Sequence, residues 1–137
     1  MRLNWQRTKR MVMKRIIESD RVPAPIGPYS QAVLCGGTLY ASGQIALDAD
    51  TGVMENESIE SEIKKVMSNI KSLLTAADMD FSNVVKSSIF LKDLNDFEVV
   101  NKIYGGYFIN QYPARETVEV ARLPKDARVE ISILAVK

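Results

Sequence analysis

The fold is decided by a charged passage near the end of the chain, Pro113-Ala-Arg-Glu-Thr-Val-Glu-Val-Ala-Arg-Leu-Pro-Lys-Asp126, which continues directly as Ala127-Arg-Val-Glu-Ile-Ser-Ile-Leu-Ala135. Its pattern predicts two strands joined by a short connection over residues 123–126, where proline and aspartate are turn signals. Charge within a strand pattern has two explanations. The strand lies at the surface, or a binding pocket there needs a fixed guanidinium and a fixed carboxylate.

The period of two assigns the side chains of both strands to faces. In the first strand we expect Val118 and Val120 on the core side and Arg115 with Thr117 on the other. The second strand has an apolar face formed by Val129, Ile131, Ile133 and Ala135. Glu130 therefore points away from the main core. The periodicity of the strand does not decide whether Glu130 contacts solvent, a neighbouring subunit or a ligand.

Composition excludes several classes of protein. A chain of 137 residues with 46% hydrophobic content predicts one domain with a core, and no apolar run is long enough to span a bilayer. We expect a cytoplasmic protein without a membrane partner. The single cysteine, Cys35, precludes an internal disulfide, and the absence of histidine removes the commonest general base and metal ligand. Acid–base chemistry must then use carboxylates, Tyr, Lys, backbone groups or water. A Cys/His zinc site is impossible, and no metal site is predicted.

The first twelve residues differ in charge from the rest. This segment contains four basic residues, Arg2, Arg7, Lys9 and Arg10, and no acidic residue. The rest of the chain has 14 basic and 17 acidic residues and is therefore net acidic. The sequence predicts a flexible basic extension over residues 1–12, ahead of a start at Met13, and a single domain over residues 13–137. A nucleic-acid-binding arm is the alternative.

Hydrophobic periodicity gives the element order β-β-β-α-β-α-β-β. Residues 58–77 form the clearest amphipathic helix, residues 84–91 a central strand, and Cys35-Gly-Gly37 the turn of a hairpin. This order predicts an α+β domain with both helices on one face of a six-stranded mixed sheet. Because no third helix covers the other face, we expect another subunit to cover it.

Two loop features can carry function. The proline-rich segment Arg21-Val-Pro-Ala-Pro-Ile-Gly-Pro-Tyr29 precludes a helix and is stiff enough to hold Tyr29 in one place, although a plain connecting loop explains it equally. Ser42-Gly43-Gln44 ends a strand. Its glycine permits close approach of a ligand to the backbone or forms a β-bulge.

Six motifs, in order, carry a family resemblance: Ile26-Gly-Pro-Tyr-Ser30, Ser42-Gly-Gln-Ile45, Lys92-Asp-Leu-Asn-Asp-Phe97, Val100-Asn101, Pro113-Ala-Arg115 and Val118-Glu-Val-Ala-Arg-Leu-Pro-Lys125. Together they resemble the RidA/YjgF family of enamine/imine deaminases, over Met13 to Val136. The resemblance implies a chorismate-mutase-like fold and a homotrimer with a central β-barrel. It also implies active sites in clefts between subunits.

The resemblance also implies roles for single residues. Arg115 corresponds to the carboxylate-binding arginine and Glu130 to the water-positioning glutamate, while Tyr29 orients the substrate or relays a proton. Further cleft positions are Ser42, Gly43, Asn101 and Thr117. Thr117 stands where many relatives have cysteine, which argues against thiol chemistry. The purely structural alternatives are a strand salt bridge for Arg115 and pairing of Glu130 with Arg122 or Arg128.

The implied activity is hydrolysis of 2-iminobutanoate and 2-iminopropanoate to 2-keto acids and ammonia, without a cofactor. A guanidinium suits such substrates because their carboxylate is their one permanent charge. One rival is ribonuclease activity, but residues 13–137 are net acidic and show no basic-aromatic strip for RNA. The other is a non-catalytic 2-keto-acid sensor or a chaperone-like binding protein.

Overall fold

The computed structural model describes residues 13–137, so the predicted basic extension lies outside the described residues. The strands are β1 Arg15–Ile17, β2 Ala32–Cys35, β3 Thr38–Gln44, β4 Val84–Leu91, β5 Ala114–Glu119 and β6 Val129–Val136. The helices are α1 Ile59–Ala76 and α2 Phe97–Gly105, with short 3-10 turns at residues 81–83, 94–96 and 124–126. The predicted order of elements and the α+β class are confirmed.

The six strands form one sheet in the order β1-β2-β3-β6-β4-β5. β5 runs parallel to β4, whereas every other neighbouring pair is antiparallel, so the sheet is mixed as predicted. The hairpin between β2 and β3 turns at Gly36 and Gly37, whose φ angles of 57° and 81° favour glycine. β6 lies between β3 and β4, which places Glu130 well inside the sheet.

Helix α1 covers one face of the sheet. Ser58 begins it with a capping box, accepting from the Ser61 amide while the Ser61 hydroxyl accepts from the amide of Ser58. The predicted apolar stripe is buried and belongs to the core, with Ile63, Val66, Met67, Ile70, Leu73 and Leu74 almost inaccessible to solvent. Among the described helices, none is both long and apolar enough to cross a membrane.

A buried carboxylate ties α1 to the start of β6. Glu62 is fully buried; its Oε2 accepts from the Arg128 amide at 2.8 Å and its Oε1 from Arg128 Nε at 3.3 Å. Arg128 is therefore bound to helix α1 and does not pair with the neighbouring Glu130. Removal of one partner of a buried pair leaves the other without compensation.

We expect Glu62→Gln to lower the free energy of unfolding by about 2 kcal/mol, because an amide NH₂ then faces the donors of Arg128. Urea unfolding at one protein concentration measures the change. The matched control is Glu60→Gln, which alters an exposed carboxylate in the same helical turn. Equal stability of the two variants would contradict this role.

The sheet face away from the helices is largely uncovered in the single chain. Tyr40 and Val118 lie on it with 49% and 42% of their surface exposed. The prediction that Val118 packs in the core is wrong: β5 is an edge strand in which Thr117 pairs with the buried Ile89 and Val118 with Phe90 on the outer face. This uncovered face is the one for which the sequence predicted another subunit.

Candidate active site

Arg115 lies on β5 and reaches over helix α2. Its Cζ is 5.7 Å from the centroid of the Phe97 ring and 5.3 Å from that of Tyr104, and its Nη1 donates to Asn101 Oδ1 at 2.6 Å. Within residues 13–137 Arg115 forms no ion pair; the adjacent Glu116 pairs with Lys86 instead. A strand salt bridge therefore does not explain Arg115 in the single chain.

A cleft of about 550 Å³ opens beside this guanidinium. Its lining consists of Asn101, Tyr104, Gly105, Tyr112, Pro113 and Arg115. The cleft combines one uncompensated positive charge with aromatic walls. A guanidinium keeps several N–H donors when one binds an amide oxygen, and two of them suit a planar carboxylate. The arrangement can bind a small organic anion.

Glu130 lies on β6, half-buried, on the face away from the helices. Burial raises the pKa of its carboxyl above the usual value of 4.5. Among the described residues Glu130 takes part in no ion pair, and Arg128 is bound to Glu62, so the pairing proposed as its structural alternative is absent there. A half-buried carboxylate with a raised pKa suits general acid–base chemistry.

Gly43 makes room for the Glu130 side chain. The register of β3 against β6 shifts between Ala41 and Gln44, so Ser42 and Gly43 form a bulge. A Cβ on Gly43 would lie 2.8 Å from Glu130 Cδ, closer than real side-chain contacts come. The glycine thus serves both as a bulge and as a point of close approach, and the group that approaches is the carboxylate.

Tyr29 stands on the proline-rich loop that leads into β2. The side-chain amide of Gln31 fixes this loop by donating to the carbonyls of Ser19, Val22 and Pro23. The Ser42 hydroxyl donates to the Ser30 carbonyl at 2.6 Å, and Tyr29 and Ser42 border a shared open cavity of about 530 Å³. The Tyr29 ring remains half exposed.

The structure separates the predicted site residues into two groups. Arg115 pairs with Ser87 on β4, whereas Glu130 pairs with Phe90, which in turn pairs with Val118. Arg115 and Val118 are three residues apart, so Arg115 and Glu130 point to opposite faces of the sheet. Arg115 and Glu130 are also roughly 10 Å apart along the strand direction, because three residues separate their positions and each residue rises about 3.3 Å. A single chain does not bring the two side chains together.

We call these groups the arginine half-site, Arg115 and Asn101, and the glutamate half-site, comprising Tyr29, Ser42, Gly43 and Glu130. Within the second group Gly43 lies beside Glu130, whereas Tyr29 and Ser42 border a cavity that Glu130 does not line; the neighbouring positions of Ser42 and Gly43 in the chain join the two pairs. Thr117 lies on the same face as Arg115, but it borders neither cavity of the single chain. Its Oγ1 is buried and finds no hydrogen-bond partner within residues 13–137. Its predicted contact with substrate stays a prediction.

Three residues of the arginine half-site's surroundings were not predicted. The sequence did not single out Phe97 or Tyr104 as site residues, and Ser87 was placed only in the predicted central strand over residues 84–91. In the structure the Tyr104 hydroxyl donates to Ser87 Oγ at 2.8 Å, and both rings contact Arg115. A usable signal was Asn101 between the two aromatic residues, since spacings of four and three place all three on one helix face.

No three His, Cys, Asp or Glu side chains in the described part of the chain converge in a way that would hold a metal ion. The groups available for chemistry are therefore the Arg115 guanidinium, the Glu130 carboxyl, the Tyr29 and Ser42 hydroxyls, and the backbone of the β3 bulge. Such a set can bind a carboxylate and transfer protons.

Fold and site together define a class: an α+β protein with two helices on one face of a mixed sheet and, in an aromatic cleft at the sheet edge, an arginine without an ion pair in the described part of the chain. The family model described as Endoribonuclease L-PSP matches residues 19–137. The chain belongs to this family, the RidA/YjgF family, as its motifs indicated.

The relatives cover nearly the whole chain. The 2-iminobutanoate/2-iminopropanoate deaminase of Homo sapiens is 44% identical over 92% of this chain and 92% of its own. Among solved structures, RidA from an Antarctic Psychrobacter superposes with a TM-score of 0.86 at 39% identity, covering 90% of this chain and 99% of that one. Escherichia coli TdcF with bound serine gives a TM-score of 0.86 at 37% identity, covering 90% and 98%. The predicted fold is confirmed.

Proposed function

We propose that this protein hydrolyses small 2-imino acids, with 2-iminobutanoate and 2-iminopropanoate as substrates, to 2-keto acids and ammonia. The observation that carries the proposal is the Arg115 guanidinium, which has no acidic partner within the described chain and faces an aromatic cleft. The name of the human relative, at 44% identity, supports the substrate class.

We further propose a homotrimer whose active sites lie between subunits, in a cytoplasmic protein. Each site joins the arginine half-site of one subunit to the glutamate half-site of its neighbour. The opposite orientations of Arg115 and Glu130 and the uncovered outer face of the sheet support this assembly. A closed ring of three copies repeats the same contact three times.

The chemistry follows from the two half-sites. Arg115 binds the substrate carboxylate and fixes the C=N carbon at the junction between subunits. Glu130, whose pKa is raised by burial, takes a proton from a water molecule as the water oxygen bonds to that carbon. That proton is returned to nitrogen, directly or through Tyr29, which gives the neutral carbinolamine. Transfer of the remaining hydroxyl proton to nitrogen, with Glu130 as the carrier, then lets ammonia leave as the C=O bond forms. The backbone at Ser42 and Gly43 is available to orient the nitrogen.

The test is hydrolysis of 2-iminobutanoate, generated in situ by a threonine dehydratase and trapped with semicarbazide. We expect added protein to accelerate release of 2-oxobutanoate and ammonia. We also expect it to suppress formation of the semicarbazone that arises when semicarbazide reacts with the imine. Unchanged trapping with this imine and with 2-iminopropanoate would contradict the proposal.

Carboxylate binding without turnover is the second candidate function. The TdcF structure holds serine, which shows that a relative binds a small amino acid. Calorimetry with 2-oxobutanoate separates the two candidates, because a pure sensor binds this keto acid and leaves the rate of imine decay unchanged. The half-buried Glu130 favours hydrolysis, since carboxylate recognition does not need a second carboxylate.

We expect Gly43→Ala to lower kcat at least about tenfold while the protein stays folded. The new Cβ would displace the Glu130 carboxyl, which is the flexible end of its side chain and moves at little cost in stability. The trapping assay and urea unfolding measure the two effects. Gly52→Ala, remote from the site, is the control for kcat: the φ of 68° at Gly52 predicts a loss of stability on substitution, and kcat should stay unchanged. Wild-type kcat in Gly43→Ala would contradict the role given to this glycine.

A further inference from the structure

Tyr104 contacts Arg115 with its ring and strand β4 with its hydroxyl. The Arg115 Cζ lies 5.3 Å from the ring centroid, and the hydroxyl donates to Ser87 Oγ at 2.8 Å. Ser87 is fully buried and is the β4 residue paired directly with Arg115. Tyr104 therefore contacts both members of this strand pair and links helix α2 to strands β4 and β5.

The hydroxyl contact fixes the ring in a way that apolar packing alone does not. An aromatic ring in a helix can rotate about its side-chain bonds, whereas a buried hydrogen bond at its far end restricts that rotation. Burial raises the pKa of Tyr104, so the phenol keeps the proton that it donates to Ser87. The ring thereby presents a constant face to the guanidinium.

A free arginine on an exposed edge strand would lose much rotamer entropy when it binds a ligand. Here the guanidinium is confined before binding: Asn101 accepts from Nη1, and the Phe97 and Tyr104 rings contact it. Cation–π contacts of this kind strengthen as water is excluded. The remaining N–H donors of Arg115 stay available on the cleft side.

We infer that Tyr104 and Ser87 are positioning residues, which act through Arg115 to hold its guanidinium ready for the planar carboxylate of the substrate. This inference rests on the proposed function, because it concerns the same cleft. It adds two buried residues that act on affinity for the carboxylate without touching the reacting carbon. Their effect should therefore appear in KM and in keto-acid binding, and much less in kcat.

The test compares Tyr104→Phe with Tyr107→Phe. Tyr107 lies in the turn just after helix α2 and packs on Phe81, and its ring makes no cation–π contact with Arg115. We expect Tyr104→Phe to weaken binding of 2-oxobutanoate about fivefold and to raise KM similarly, as for the loss of one hydrogen bond, with kcat changed less than about twofold. Tyr107→Phe should match the wild type.

Ser87→Ala provides a second variant that keeps both aromatic rings. If the tyrosine hydroxyl acts through Ser87, the double variant should bind 2-oxobutanoate no more weakly than either single one. Additive losses in the double variant, or a Tyr104→Phe protein whose affinity equals that of Tyr107→Phe, would overturn the inference. Wild-type protein that binds 2-oxobutanoate without hydrolysing imines overturns the proposed function alone; wild-type protein that binds none overturns both.

Discussion

Arg115→Ala is expected to lower kcat/KM for 2-iminobutanoate about a thousandfold. The variant loses two charge-assisted hydrogen bonds to the carboxylate, each worth about 2 kcal/mol. It also loses the positive charge that lines the cleft. Because Arg115 is exposed and forms no ion pair within the described chain, its removal should cost little folding free energy.

Arg115→Lys is the matched variant for this prediction. It keeps the charge but replaces a planar pair of donors with a single ammonium, so we expect a loss between that of alanine and the wild type. The trapping assay gives kcat/KM, and calorimetry with 2-oxobutanoate gives affinity without turnover. An Arg115→Ala protein with wild-type kinetics would remove the basis of the anchoring role.

Glu130→Gln should lower kcat about a hundredfold to ten-thousandfold, the usual range for loss of a general base, with a small change in KM. Glutamine keeps the shape of the side chain beside Gly43 but cannot accept a proton from water. A loss that appeared in KM alone would contradict this role and assign Glu130 to substrate binding.

The pH dependence gives a second test of Glu130. Burial raises its pKa above 4.5, and the active form is the ionised one, so activity should fall as the pH drops through that raised pKa. Stability follows the opposite direction: the folded state binds the proton more tightly than the unfolded state, so ionisation of Glu130 costs stability as pH rises. At neutral pH Glu130→Gln should therefore unfold no more easily than the wild type. A marked destabilisation there would contradict this assignment.

The elements were predictable because each has a strong local pattern. Local patterns predict the type and the order of the elements. These patterns are the apolar stripe of α1, the glycine turn of the hairpin and the alternation of apolar and polar residues along β6. The face of Val118 was not predictable in the same way. β-branched residues pack inward or outward with equal ease, and only the parallel register of β5 on β4 decides which face is buried.

The residues of the candidate site were predictable from the sequence, but their arrangement in space was not. Motifs contain Arg115 and Gly43, and the family resemblance assigned Glu130, yet sequence spacing says nothing about which sheet face a distant strand presents to a helix. The opposite orientations of Arg115 and Glu130 depend on two strand registers. The contacts of Phe97 and Tyr104 with Arg115 depend on how α2 packs against β5, which no spacing in the sequence predicts.

Subunit complementation tests most directly the claim that each active site combines two chains. Arg115→Ala and Glu130→Gln proteins are unfolded together in equal amounts, refolded as mixed oligomers, and assayed for hydrolysis of 2-iminobutanoate. Each parent alone should be nearly inactive. Random assembly places an intact arginine half-site against an intact glutamate half-site in about a quarter of the interfaces, so the mixture should recover about a quarter of wild-type activity. A mixture of confirmed mixed oligomers that stays as inactive as its parents would contradict a site shared between subunits.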